Sequence, residues 1–124
     1  MSEFTDLELA ALHSIFLETP KLAPALERQL ALATVAEREN SGGGFFTTIS
    51  VVGHAPGVVV SDVLGFETQA HVKGLEHGMG FVLFTEDGLI HLLEGFAYGP
   101  ESTAALDLQS LEFEIYKQAP IRLS

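Results

Sequence analysis

The sequence predicts an α+β fold, in which two N-terminal helices pack on one face of a sheet of about five strands. Apolar residues recur at helical spacing up to about residue 40, and beyond it they alternate with the two-residue period of strands. Short connections between the strands favour a mainly antiparallel meander. The 124 residues suffice for a single domain, 1–124, with a core of its own.

The two helices are predicted at about residues 5–17 and 21–40. Thr5 and Glu8 have the spacing of a capping box, in which each side chain accepts a hydrogen bond from the other residue's backbone. The second helix has two possible starts, because Pro20 and Pro24 both suit a first turn. The glycines at 42–44 indicate a helix C-cap and loop rather than a phosphate-binding loop, since a strand and not a helix follows them.

Strands are predicted at about residues 45–52, 62–73, 79–85, 89–96 and 111–117. Asp87-Gly88 between two apolar runs is a strong signal for a two-residue hairpin turn. Pairing through this turn places Phe81 opposite Glu94 and makes His91 a buried polar residue on the helix-covered face. The register around residues 74–78 stays open, and a slip of one residue would exchange the faces.

In this register the face away from the helices has an apolar middle and a polar margin, which is typical of an association surface. The candidate ligand or interface site on it comprises six residues: Glu67, His71, Phe81, Ile90, Leu92 and Glu94. Two alternatives remain for what covers this face: a second chain, or the connection at 97–110 of the same chain. We expect a homodimer or a complex with another protein.

The charge balance excludes some classes of function. The net charge is −11, from 17 acidic and 6 basic residues, which argues against binding to nucleic acid and to anionic membranes. No apolar run is long enough to span a bilayer, the N-terminal residues lack the basic region and apolar core of a signal peptide, and there is no cysteine. These features predict a cytoplasmic protein. The histidines have no metal-ligand spacing, so neither a metal nor another cofactor is expected.

No nucleophile motif is present, so we expect a protein-interaction module rather than an enzyme. The alternative is a small-ligand-binding protein or a hydrolase-like enzyme, in which His71 and Glu94 form an acid–base pair. A small molecule is therefore a possible partner. The sequence names neither the ligand nor the activity.

Four segments occur in an order that resembles a group of small bacterial α+β proteins of unknown function. They are R-E-N-S-G-G-G-F-F-T at 38–47, G-L-E-H-G-M-G-F at 74–81, D-G at 87–88 and L-E-G-F-A-Y at 93–98. Such proteins often continue to a Trp-Pro, where this chain has Pro100-Glu101. Small acidic proteins of this kind are similar to immunity proteins of bacterial toxin systems, so the resemblance implies an immunity- or adaptor-like role.

Overall fold

The structure is a computed structural model, and it describes residues 3–53, 57–58 and 62–117. Two helices come first in the chain, and the described residues then form seven strands. The elements are α1 (Asp6–Leu17), α2 (Ala23–Ala31), β1 (Ala33–Asn40), β2 (Gly44–Val51), β3 (Val63–Leu64), β4 (Thr68–Val72), β5 (Leu75–Glu86), β6 (Leu89–Ala97) and β7 (Phe113–Lys117).

The strands form one open antiparallel sheet, so the predicted α+β class is confirmed. The order is β1-β2-β6-β5-β4-β7, and β3 pairs with β5 beside β4. The sheet has seven strands instead of about five, and it is not a simple meander, because β6 lies between β2 and β5. Among the described residues, neither helix is long and apolar enough to cross a membrane.

The first helix begins as predicted. The Thr5 backbone N–H donates to Oε1 of Glu8 over 2.7 Å, and the Glu8 N–H donates to Oγ1 of Thr5 over 3.1 Å. This reciprocal pair satisfies two N–H groups that a helix start leaves without partners. The Glu8 carboxylate is only 1% exposed, and it also accepts hydrogen bonds from the Arg38 guanidinium and the Thr47 hydroxyl. It therefore joins α1 to β1 and β2.

The second helix is much shorter than predicted. It ends at Ala31, and residues 33–40 form the edge strand β1. The adjacent β-branched residues Thr34 and Val35 favour a strand. The glycines at 42–44 close the β1–β2 turn instead of capping a helix: Gly42 has a φ of +88°, and the Ser41 N–H donates to the Gly44 carbonyl.

The hydrophobic core joins the two helices to alternate residues of the strands. Its largest fully buried side chains include Phe16 and Ile15 of α1, Phe45 of β2, and Phe81 and Leu83 of β5. Gln29 of α2 is also fully buried. Its amide donates to the Gly88 carbonyl and accepts from the Ile90 N–H, so it anchors α2 to the β5–β6 hairpin.

The β5–β6 hairpin has the predicted two-residue turn but not the predicted register. Asp87 and Gly88 both have positive φ, as a type I′ turn requires. Glu86 pairs with Leu89 and Thr85 with Ile90, but His91 then forms a bulge, and Phe84 pairs with Leu92. The predicted pairing of Phe81 with Glu94 is therefore wrong: Glu94 pairs with Val82.

The predicted strand at 62–73 is two strands, β3 and β4, separated by a turn. Gly65 has a φ of +100°, which ends β3, and Phe66 in the turn is 67% exposed rather than inward-facing. The turn expected at 74–78 is shorter, because β5 starts at Leu75 and Val72 pairs with it directly.

Candidate functional site

The side of the sheet that points away from the core has an apolar centre. In β5, the buried residues Phe81, Leu83 and Thr85 alternate with Val82 and Phe84, which therefore point to the opposite side. Cross-strand partners share this side. We call it the outer face, and its half-buried apolar side chains include Phe46, Val82, Phe84, Leu92 and Phe96.

Glu94 lies in the middle of this apolar surface. It is paired with Phe46 of β2 on one side and with Val82 of β5 on the other, and Leu92 and Phe96 flank it along β6. The residue is half-buried. Within residues 3–53, 57–58 and 62–117, its carboxylate has no hydrogen-bond donor and no ion-pair partner. Covering this carboxylate without supplying a partner would be costly, because a desolvated charge needs compensation.

Two aromatic rings lie over a glycine next to this carboxylate. Gly80 pairs with Phe96, and a Cβ at Gly80 would collide with the Phe96 ring and the Tyr98 hydroxyl. The Phe96 and Tyr98 rings meet edge to face with their centroids 5.6 Å apart. Burial is the main cause that raises the pKa of Tyr98, and the nearby Tyr116 raises it further. The absent side chain of Gly80 therefore leaves the space in which the two rings pack.

A second polar and aromatic group lies on β4 and β7. The Tyr116 hydroxyl donates to Oε1 of Gln69 over 3.1 Å, and the exposed His71 imidazole stacks on the Tyr116 ring at 4.3 Å. His71 pairs with Glu114, which is exposed. Tyr98 and Tyr116 are the only tyrosines, and the chain has no tryptophan. Tyrosine fluorescence therefore reports on the outer face alone.

The margin of the outer face is acidic. Glu37 and Glu39 of β1 pair with Thr48 and Phe46, and both glutamates are exposed. Arg38, between them, points to the core side, where it binds Glu8. The described strands place no lysine or arginine on this face, and Lys73, which continues the outer-face row one residue past β4, lies 3.5 Å from Glu112.

The connection between β6 and β7 is held at the ends of the strands. Thr103 donates from its hydroxyl to the Gly44 carbonyl, and Glu101 accepts from the N–H groups of Glu76 and His77 at 2.5 and 2.8 Å. These two hydrogen bonds lower the pKa of Glu101. The connection's three leucines, Leu106, Leu108 and Leu111, pack against the core. These contacts do not support the alternative in which residues 97–110 cover the outer face.

The structure brings only part of the predicted site together. His71, Leu92 and Glu94 lie on the outer face. Phe81 and Ile90 do not: they are 1% and 2% exposed and belong to the core, because the bulge shifts the register.

Two further predicted residues lie elsewhere. His91 was predicted to be buried, but it is exposed, because it is the bulged residue and has no cross-strand partner. Its Nε2 lies 3.2 Å from Oε2 of Glu86. Glu67 lies in the β3–β4 turn, where its N–H donates to Glu18.

His71 and Glu94 share the outer face but are too far apart to form an acid–base pair. Strand β5 separates β4 from β6, and Glu94 pairs with Val82 while Gln69, two residues from His71, pairs with Gly80. Across the sheet, the two backbones are two strand spacings of about 4.8 Å apart, and along the strands they are four residues of about 3.3 Å apart. The direct distance between the two backbones is therefore about 16 Å. A general base must lie within hydrogen-bond reach of the proton it moves, so the pair does not form the predicted dyad.

Several outer-face residues were missed by sequence reasoning, namely Phe46, Val82, Phe84, Phe96, Tyr98 and Tyr116. One signal was available. In the adjacent pair Phe45-Phe46, successive strand residues point to opposite sides, so one of the two large rings must leave the core.

The described residues also form depressions away from the outer face, and one of about 280 Å³ lies between the end of α1 and the β3–β4 turn. One of about 220 Å³ lies beside the β5–β6 turn and includes His91 and Glu86. Another, of about 410 Å³, is walled by the consecutive residues 19–22 and is a groove along a turn. Within the described residues, no three His, Asp or Glu side chains come close enough to share a metal ion. The chain was compared with protein-family models, curated proteins and solved structures, and none of them matches it.

Proposed function

We propose that this chain is a protein-binding module without catalytic activity of its own, and that its outer face is the binding surface. The observation that carries the proposal is the apolar centre of that face, formed around Glu94, whose carboxylate has no partner among the residues that the structure describes. A large apolar patch inside a polar rim is typical of surfaces that associate with other proteins. An adaptor- or immunity-like role, of the kind that the sequence resemblance implies, would use such a surface.

The size of the face fits a small protein interface. Six strands at a spacing of about 4.8 Å and a length of about 20 Å give a projected area of about 500 Å². A standard interface buries about 800 Å² of accessible surface per partner, and accessible surface exceeds projected area because side chains make it rough. The apolar centre would be buried first, with the acidic margin as the rim.

A second copy of the chain is one candidate partner, as the sequence analysis expected. Its support is the apolar centre alone, because two identical apolar faces can bury each other in a symmetric dimer. A different protein is the other candidate. Both require the same surface, so one pair of variants tests the surface itself before the partner is known.

The test compares Leu92→Asp, at the apolar centre, with Phe66→Asp, which makes the same kind of change at a 67% exposed turn. Sedimentation velocity measures self-association over a range of concentrations. In parallel, random 12-residue peptides displayed on phage are selected on the wild-type chain. We expect self-association or peptide binding that Leu92→Asp abolishes and Phe66→Asp retains. Equal behaviour of the two folded variants, as judged by circular dichroism, would refute the proposal.

A further inference from the structure

The electrostatics of the outer face select the kind of partner. We infer that its occupant is a different protein, one that presents an arginine or lysine within an apolar surface, with the cationic group placed on Glu94. This inference rests on the proposed function, because it names the partner of the same surface. Three observations support it: the position of Glu94, the aromatic rings around it and the sign of the charges at the margin.

The first observation is the lack of a partner for Glu94. A protein seated on Phe46, Val82 and Leu92 would remove water from the carboxylate between them. The described residues supply it with no donor. The occupant must therefore bring one, and a charged donor compensates a desolvated carboxylate better than a neutral one does.

The second observation is the aromatic surroundings of that carboxylate. Phe46 is the cross-strand neighbour of Glu94, and Phe96 lies two residues further along β6 on the same face. A guanidinium group stacks on aromatic rings while it donates two parallel hydrogen bonds to a carboxylate. The site thus combines the two contacts that favour arginine over a neutral side chain.

The third observation argues against a second copy of the chain. A face-to-face dimer would bring Glu94 and margin residues such as Glu37, Glu39 and Glu114 of each copy against the same acidic surface. Lys73, one residue past β4 in the same outer-face row as His71, lies 3.5 Å from Glu112, and the described strands place no other lysine or arginine on this face to offset the remaining carboxylates. Like charges that are brought together at an interface suppress the pairing. A basic partner reverses the sign of this effect, and the net charge of −11 would also speed its approach.

The experiment extends the peptide selection described above. The most enriched peptide is synthesised, and its affinity for the wild-type chain, Glu94→Gln and Glu27→Gln is measured by calorimetry. Glu27 is the matched control, because it lies on α2 beside His13 and loses the same charge on substitution. We expect enriched peptides with Arg or Lys next to apolar residues, about tenfold weaker binding to Glu94→Gln and less than a twofold change for Glu27→Gln.

The other outcomes separate the two proposals. Peptides that require Leu92 but lack a basic residue, or that bind Glu94→Gln as well as wild type, would overturn the basic partner and leave the binding surface intact. If the only association that depends on Leu92 is a dimer of the chain, the occupant is a second copy and the inference is wrong. If no association depends on Leu92, the proposed function fails with it.

Discussion

Replacing Arg38 with methionine should destabilise the protein strongly, because Arg38 neutralises a buried charge. The Glu8 carboxylate is 1% exposed and accepts from four donors, two of which are Nε and Nη2 of Arg38, at 2.8 and 2.6 Å. Met keeps much of the side-chain volume but supplies neither donor nor charge. Removing one partner of a buried ion pair costs about 3–5 kcal/mol. Because the Arg38 side chain is still 16% exposed, we expect about 3 kcal/mol.

Urea unfolding, followed by far-ultraviolet circular dichroism, measures this loss. With a slope of about 1.5 kcal/mol/M, the midpoint should fall by about 2 M. The control is Arg28→Met on α2, where the arginine is exposed and a change within about 0.5 kcal/mol is expected. Adding Glu8→Gln to Arg38→Met should recover part of the loss, since it removes the unpaired charge. A loss below about 1 kcal/mol for Arg38→Met, as in an exposed ion pair, would refute this reasoning.

Three further predictions concern the core and the outer face. Gly44→Ala should cost more than about 3 kcal/mol in urea unfolding and Gly80→Ala about 1–3 kcal/mol, because the added Cβ meets backbone in the first case and two aromatic side chains, which can shift, in the second. In an absorbance titration, Tyr98 should ionise above its ordinary pKa of 10.0, and Tyr116→Phe should lower the pKa of Tyr98. The fold favours the neutral phenol of Tyr98. The contribution of this group to the free energy of unfolding is therefore complete below pH 10.0 and is lost as the pH rises through the raised pKa. Gln29→Leu should cost about 1–3 kcal/mol and speed amide exchange in the β5–β6 turn, because the buried Ile90 N–H loses its acceptor and the Gly88 carbonyl keeps only the Val58 N–H.

The elements predicted well are those with a local signal. The capping box that starts α1 involves residues three apart, Thr5 and Glu8, so its hydrogen bonds do not depend on the rest of the chain. The Asp87-Gly88 turn is equally local, since positive φ at both positions is a property of these two residue types. Neither signal depends on which strands become neighbours.

Strand β1 was missed because tertiary pairing decided its structure. Residues 33–40 are compatible with an amphipathic helix, and the glycines that follow suit a helix end as well as a hairpin turn. Pairing with β2 and the bond from Arg38 to Glu8 favour the strand. Both depend on contacts between residues that are distant in sequence, and local propensity does not contain them.

The candidate site was only partly predicted, because a single bulged residue set the register. The prediction placed Ile90, Leu92 and Glu94 on one face, as strict alternation requires. The bulge at His91 moves Ile90 to the core and leaves Leu92 and Glu94 outside. Bulges are set by the packing on both sides of a sheet, and no local pattern in the hairpin marked this one.

The bulge also explains how an almost wholly apolar hairpin presents two different faces. Without His91 as the extra residue, the buried Ile90 and the half-buried Glu94 would lie on the same side of β6, and either a carboxylate would enter the core or an isoleucine would leave it. With the bulge, Ile90 meets the buried amide of Gln29, while Glu94 joins Phe46 and Val82 on the outer face. Among the described residues the carboxylate of Glu94 has no donor, so its place on the outer face is compatible with a dry core, and no described hydrogen bond depends on it. Anything seated on this face would desolvate the half-buried carboxylate of Glu94, and the cationic group of the proposed partner is what would compensate that cost.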